Sequence, residues 1–171
     1  LWVARQTLLF FHGATCWQIY DKVQPSGLER KCARKHGFID LYSFGVRHAM
    51  YRRFKDEPRF VIRATDVLPG PRSIDLDRAM LTSVFCFCPS GTGWGMRAFH
   101  AAVLGCIPVI VQDDGSKRFP TVLQAFEGLL LDWDDFAVRI SFSEIDTLPA
   151  VLRELEADPH RLSLGAEAVR I

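Results

Sequence analysis

Val84-Phe-Cys-Phe-Cys-Pro-Ser-Gly-Thr-Gly-Trp-Gly-Met-Arg-Ala-Phe-His-Ala-Ala-Val-Leu-Gly-Cys-Ile-Pro-Val-Ile-Val-Gln-Asp-Asp114 carries the fold of this chain in one run. Val84–Cys88 is short, apolar and rich in aromatic and β-branched residues, and Pro89, which has no N–H to give a ladder, ends it. Ser90, Gly91, Gly93 and Gly95 form a turn whose bare backbone lets amide groups approach an anion. Met96–Leu104 has helical character, and Gly105 is placed to close that helix in a left-handed conformation. Ile107–Val111 is apolar throughout, as a strand covered on both faces requires. Strand, glycine turn, helix and strand make a βαβ unit with a phosphate-sized anion site at its turn.

The same alternation extends outward in both directions. Thr7–His12 (TLLFFH) reads as a buried strand opening at Gly13, and Arg59–Arg63 (RFVIR) as another. Tyr42–Arg47 leads into a helix reaching about Phe54, with Ser43 as its cap and Arg47 one turn inside. Ile74–Ser83 reads as a helix, 66–75 as an irregular loop, and 121–126 as a helical patch. Leu131–Ile140 leads into a last strand, with Trp133 and Phe136 in the core. Leu148, Val151, Leu152 and Leu155 make one apolar stripe on a final helix, which Pro159 interrupts. Such alternation predicts an α/β fold, a Rossmann-like parallel sheet with helices on both faces. Ligands of such sheets bind beyond the carboxyl ends of the strands, where Gly13, the 89–97 turn and Asp113 all fall.

The 171 residues suffice for one domain with a full core, and 49% apolar with 24% charged residues is ordinary for a globular protein. A net charge of +1 supplies no field to steer the protein onto nucleic acid or an anionic membrane. The basic cluster Arg30, Lys31, Arg34 and Lys35 lies in the long connection 14–42 and reads as a solvated face. No run approaches the ~20 apolar residues of a membrane span, and none resembles a signal peptide. The chain starts without Met and is read as a fragment. The five cysteines lack metal spacing, and no metal site is expected. Cys86, Cys88 and Cys106 are expected to fill core as small hydrophobes, with Cys86 and Cys88 pointing to opposite faces. Cys16 and Cys32 flank a polar loop and are free to pair in an oxidising compartment.

The residues of these runs resemble a family, the exostosin-like glycosyltransferases, in the version found in green algae and plants. Its signature is matched by Ser83-Val84-Phe85-Cys86, Pro89, Gly91, Arg97, Gly105-Cys106-Ile107-Pro108-Val109-Ile110 and Asp113. The strand Leu8–Gly13, the element Tyr42–Arg47 and the run Leu131–Ile140 match it as well, but His12 stands where an Arg is common. The resemblance implies the C-terminal, nucleotide-sugar-binding domain of a GT-B glycosyltransferase, here spanning 1–171 as a single domain without its acceptor domain. It implies a UDP-sugar donor, a polysaccharide or glycoprotein acceptor, a metal-independent and inverting reaction, and no separate cofactor. The partner would be the protein's own N-terminal domain, not nucleic acid. The place would be the Golgi membrane, with a type II anchor outside the chain, and the fragment alone would be inactive.

On that reading Arg47 and Arg97 are the catalytic pair that holds the leaving diphosphate. Gly13, Ser90, Gly91, Gly93, Gly95, Met96, His100 and Asp113 bind the donor. His100 stands one turn after Arg97, where the family commonly has an acidic ribose ligand, and a neutral imidazole offers such a hydroxyl only one bond. Two rival readings share the residues. Gly93–Ala98 is formally G-x-G-x-x-A with Asp113 and Asp114 downstream, which suits an NAD(P)-binding Rossmann domain. Against that, Pro89, Ser90, Gly91 and Thr92 separate the strand from the first glycine, and an Arg stands at the pyrophosphate approach. The other rival is a catalytically degenerate domain that binds nucleotide or glycan without turnover.

Overall fold

The computed structural model describes residues 5–15, 42–66, 74–90, 96–111 and 132–158. Five strands form one sheet in the order β2-β1-β3-β4-β5, with every pairing parallel. The strands are β1 (Thr7–Gly13), β2 (Phe60–Ala64), β3 (Ser83–Phe87), β4 (Ile107–Val111) and β5 (Val138–Ile140). Four α-helices are described with them: α1 (Val46–Phe54), α2 (Leu76–Leu81), α3 (Arg97–Val103) and α4 (Leu148–Ala157). The predicted α/β class and Rossmann-like parallel sheet are therefore what the chain adopts.

The period-two alternation of the strands sorts their side chains into two cores. Phe11, Phe85, Phe87, Val109 and Val111 pack with Val46 and Met50 of α1 and with Leu148 and Leu152 of α4. Phe10, Cys86, Cys88 and Ile110 pack on the other side with Met80 of α2, Ala98 and Ala101 of α3, and Trp133. Helices cover both faces, which is why the strands read as unbroken apolar runs. Trp133 is fully buried, with Phe99 and Phe136 against its ring, so the expected core role of both Trp133 and Phe136 holds.

Three expectations need correction. Cys86 and Cys88, two residues apart on β3, share a face of the sheet, as strand geometry dictates, and both lie in the second core. Cys86 does not simply fill space: it forms a disulfide with Cys106, across 20 residues of sequence. Parallel pairing of β3 with β4 brings the two Cα atoms to 5.7 Å. Cys88 alone of these three is a free, buried thiol. Ser43, finally, does not cap α1. Gly45 precedes the helix, no side chain caps it, and Ser43 lies in a 3-10 turn at φ 57. α2 is capped by Asp75, whose side chain accepts from the Arg78 N–H at 2.9 Å.

The strand order fixes where a ligand binds. From β1 the chain crosses to β2 on one side, and from β2 it returns past β1 to β3 on the other. The carboxyl ends of β1 and β3 therefore flank a crevice where the direction of winding reverses, the place at which open parallel sheets bind ligands.

Candidate active site at the β1–β3 switch point

Two arginines converge on that crevice from the helices that follow β1 and β3. Arg47 is the second residue of α1, in its first turn rather than a turn further in, and Arg97 is the first residue of α3. Arg47 donates through Nε to the Ser90 carbonyl at 2.9 Å, through Nη1 to that of Ala14 at 3.2 Å, and through Nη2 to that of Pro89 at 3.4 Å. Arg97 donates through Nη1 to the His12 carbonyl at 2.7 Å. The two guanidiniums share one aromatic floor, lying 5.8 and 5.2 Å from the ring centroid of Phe11, and Tyr42 covers Arg47 at 4.7 Å. Both therefore stack on π faces and bond to carbonyls, with no carboxylate within ion-pair distance among the described residues.

Gly13 is the point on which they close. A Cβ placed there would stand 3.2 Å from Arg97 Nη2, 3.3 Å from the Phe11 ring and 3.4 Å from Arg47 Nη1. The glycine is needed for this close approach, since its φ lies outside the left-handed region. Burial pushes the Arg47 guanidinium below its usual pKa; Arg97 adds to that push, while Tyr42 and Asp66 oppose it. Burial likewise lowers Arg97, with Cys88 and Tyr42 opposing. A guanidinium stays charged under such pressure, so the crevice holds two partly desolvated cations at Gly13.

The turn leading into α1 is bent to suit. Ser43, Phe44 and Gly45 are successive residues at positive φ (57, 52 and 76), a costly run for the first two. The bend carries Tyr42 back over Arg47, and it buries the Ser43 hydroxyl without a hydrogen-bond partner among the described residues.

Of the remaining predicted residues, the structure describes Ser90, Met96 and His100. Ser90 belongs to the site through its carbonyl. Met96 is exposed and immediately precedes α3, making no side-chain cap. His100, one turn along α3, places Nε2 2.8 Å from Asp77 Oδ1 on α2, so its ring joins two helices. Gly91, Gly93, Gly95 and Asp113 lie outside the described residues, as do Cys16, Cys32, the basic cluster and the helical patch 121–126. Phe11, Tyr42 and Ala14 were not singled out by their chemistry, and Pro89 only as the end of a strand and part of the family signature. Phe11 and Tyr42 read as ordinary aromatic neighbours, and a backbone carbonyl leaves no trace in a sequence. A separate groove of about 430 Å³, lined by Phe10, Val61, Arg63, Ile74, Asp75 and Arg78 among others, contains none of the site residues.

Residues 3–155 match the Exostosin GT47 domain. A probable glucuronosyltransferase of Oryza sativa subsp. japonica is 31% identical over 118 residues, covering 68% of this chain and 24% of that protein. A probable beta-1,4-xylosyltransferase of Arabidopsis thaliana is 31% identical over 115 residues, covering 67% of this chain and 24% of that protein. The chain thus spans about a quarter of the length of these relatives. With a parallel sheet of GT-B type and the family's match across nearly the whole length, the chain belongs to the exostosin GT47 family of glycosyltransferases.

Proposed function

We propose that this domain binds the diphosphate of a UDP-sugar donor between Arg47 and Arg97, and that within the full-length protein the sugar passes to a polysaccharide or glycoprotein acceptor with inversion. One observation carries the reading: the guanidiniums of buried Arg47 and half-buried Arg97 meet at a bare glycine on the switch point of a parallel sheet. As the glycosidic bond breaks, negative charge grows on the β-phosphate. Cations already fixed by carbonyls and aromatic rings stabilise that charge without reorganising. Arg47 and Arg97 would form charge-assisted bonds to the diphosphate oxygens with the donors their carbonyls leave free. This electrostatic role needs no metal ion or separate cofactor. Ser90 and Gly13, with Gly91, Gly93 and Gly95, would shape the phosphate cradle. Met96, His100 and Asp113 would lie along the nucleoside and sugar. His100 reaches a ribose hydroxyl only by sharing or leaving Asp77.

The relatives' names, probable glucuronosyltransferase and probable beta-1,4-xylosyltransferase, favour a uronic acid or pentose donor for a plant-type cell-wall glycan. The protein's N-terminal domain would supply the acceptor side and the base, leaving the isolated domain able to bind donor but inactive in transfer. The Cys86–Cys106 disulfide favours a lumenal, oxidising compartment such as the Golgi. No helix among the described residues is long and apolar enough to cross a membrane.

Calorimetric titration of the protein with UDP and, separately, NAD tests the reading. UDP should bind and NAD should not; the reverse would make this a dinucleotide domain. Arg97→Ala should weaken UDP binding more than Arg52→Ala, because Arg52 is exposed on α1. Equal effects would remove the diphosphate from the crevice. Sugar transfer by the full-length protein separates an active enzyme from a degenerate binder.

A further inference from the structure

Asp66 lies just beyond β2 and belongs to none of the motifs, yet it fastens the turn whose carbonyl Arg47 uses. The Thr65 N–H donates to the Gly13 carbonyl at 3.1 Å, extending the β1–β2 ladder past the ends of the strands. One residue on, Asp66 Oδ2 accepts the backbone N–H of Thr15 at 2.9 Å, and both carboxylate oxygens lie 3.2 Å from the Thr15 hydroxyl. Thr15 is fully buried. Between these two anchored residues lies Ala14, whose carbonyl takes Nη1 of Arg47. The turn 13–15 is thus held at both ends by β2, and its middle presents an acceptor to the guanidinium. A carboxylate that accepts from an N–H and a hydroxyl of one residue restricts that residue far more than a single bond would.

We propose that Asp66 is a positioning residue for donor binding, acting through Thr15 and the Ala14 carbonyl to hold Gly13 and Arg47 in the geometry that receives the diphosphate. The inference rests on the reading of the crevice as the diphosphate site. It makes a prediction opposite in sign to simple electrostatics. Asp66 is a negative charge near a site for an anion, and Arg47 feels its field. If Asp66 were only a neighbouring charge, its removal would strengthen UDP binding. If it positions the turn, removal weakens binding in spite of the charge relieved.

The experiment titrates UDP into wild type, Asp66→Ala, Thr15→Val, Thr15→Ser and Arg97→Ala, with a melting temperature for each. Asp66→Ala should weaken binding roughly tenfold, the lower end of the losses seen when an outer partner orienting a ligand-binding group is removed. Thr15→Val, which leaves the carboxylate in place and removes only the hydroxyl's bonds to it, should weaken binding several-fold, and Thr15→Ser should restore it. Unchanged or tighter binding in Asp66→Ala overturns the inference; if Arg97→Ala still weakens binding, the diphosphate site is left standing. Should Asp66→Ala fail to fold, equal affinities for Thr15→Val and Thr15→Ser overturn it on their own. A wild-type protein that binds no UDP overturns both the site and its positioning residue.

Discussion

The two ends of the sheet each set an arginine beside a glycine, and they use the pair differently. At the amino end Arg5 donates through Nη1 to the Ser83 carbonyl at 3.0 Å and to that of Gly105. A Cβ on Gly105 would lie 3.1 Å from Arg5 Nη2. At the carboxyl end Arg47 and Arg97 also bond to carbonyls and also press on a glycine. Burial lowers the pKa of all three. Arg5 is a single cation tying the end of α3 to the start of β3, which is a structural use. Arg47 and Arg97 bring a second like charge to the same point, and repulsion across a desolvated gap serves no folding purpose. A buried arginine satisfied by carbonyls is therefore weak evidence of function by itself; a converging pair is strong evidence.

The disulfide joins the two regions, since it closes the loop that contains the glycine turn and α3, and it gives the largest expected effect. Cys86→Ala with Cys106→Ala frees a crossover of 20 residues, which should cost roughly 3 kcal/mol in denaturant stability. UDP affinity should fall as well, because Arg97 sits on that crossover. Stability lost with affinity intact would show that the helix holds its arginine without the covalent tie.

The comparison of arginines is sharpened by removing one from each end. Arg97→Ala should weaken UDP binding by about 30-fold or more, the equivalent of about 2 kcal/mol for a desolvated charge contact. Arg5→Ala should leave UDP binding unchanged and lower stability by about 1–2 kcal/mol through its two abandoned carbonyls. A loss of UDP affinity in Arg5→Ala would break the division between structural and functional ends. The glycines give a smaller, matched pair. Gly105 stands at φ 71, so Gly105→Ala should cost about 1–2 kcal/mol of stability without touching affinity. Gly13→Ala carries no such backbone strain, and its methyl meets the movable ends of two arginines and a ring. It should spare stability and reduce UDP affinity several-fold, read by the same titration.

These contrasts also separate what the sequence discloses from what only the fold shows. The strands were visible because a two-faced sheet demands continuous apolar runs, and Ile107–Val111 falls where its pattern puts it. Gly13 and Arg47 were legible through family motifs, and Gly105 through its place after a helix. The geometry joining them was not, because Arg47 meets Ser90 across 43 residues and a carbonyl acceptor has no sequence identity. The disulfide was hidden for a related reason: whether two core cysteines touch depends on the register of β3 against β4, which no local pattern states. Ser43 misled because it has the composition of a cap, whereas the neighbouring positive φ angles arise from seating Tyr42 over Arg47. Asp66 and Thr15 carried no signal at all, being two ordinary polar residues 51 positions apart.

The smallest effect expected concerns His12, and it distinguishes the two ends by pH. Burial, then the charge of Arg97, then that of Arg63, lowers the pKa of its imidazole, and Nε2 is shielded from solvent with no hydrogen-bond partner among the described residues. The folded protein therefore binds fewer protons at this site than the unfolded chain does, and stability rises with pH wherever that difference exists. The window runs from the depressed folded value up to the ordinary value of 6.5. Acidification from 6.5 downward should cost stability until His12 is protonated in both states, with a slope of at most about 1.4 kcal/mol per pH unit for one proton. His12→Gln should flatten this slope in denaturation curves collected across the window. Arg5 adds nothing there, since a guanidinium remains charged throughout. Bound UDP should also flatten it, because a diphosphate beside Arg97 offsets the charge that disfavours protonated His12. A slope that survives His12→Gln places the titration elsewhere, and one that ignores UDP separates His12 from the anion's field.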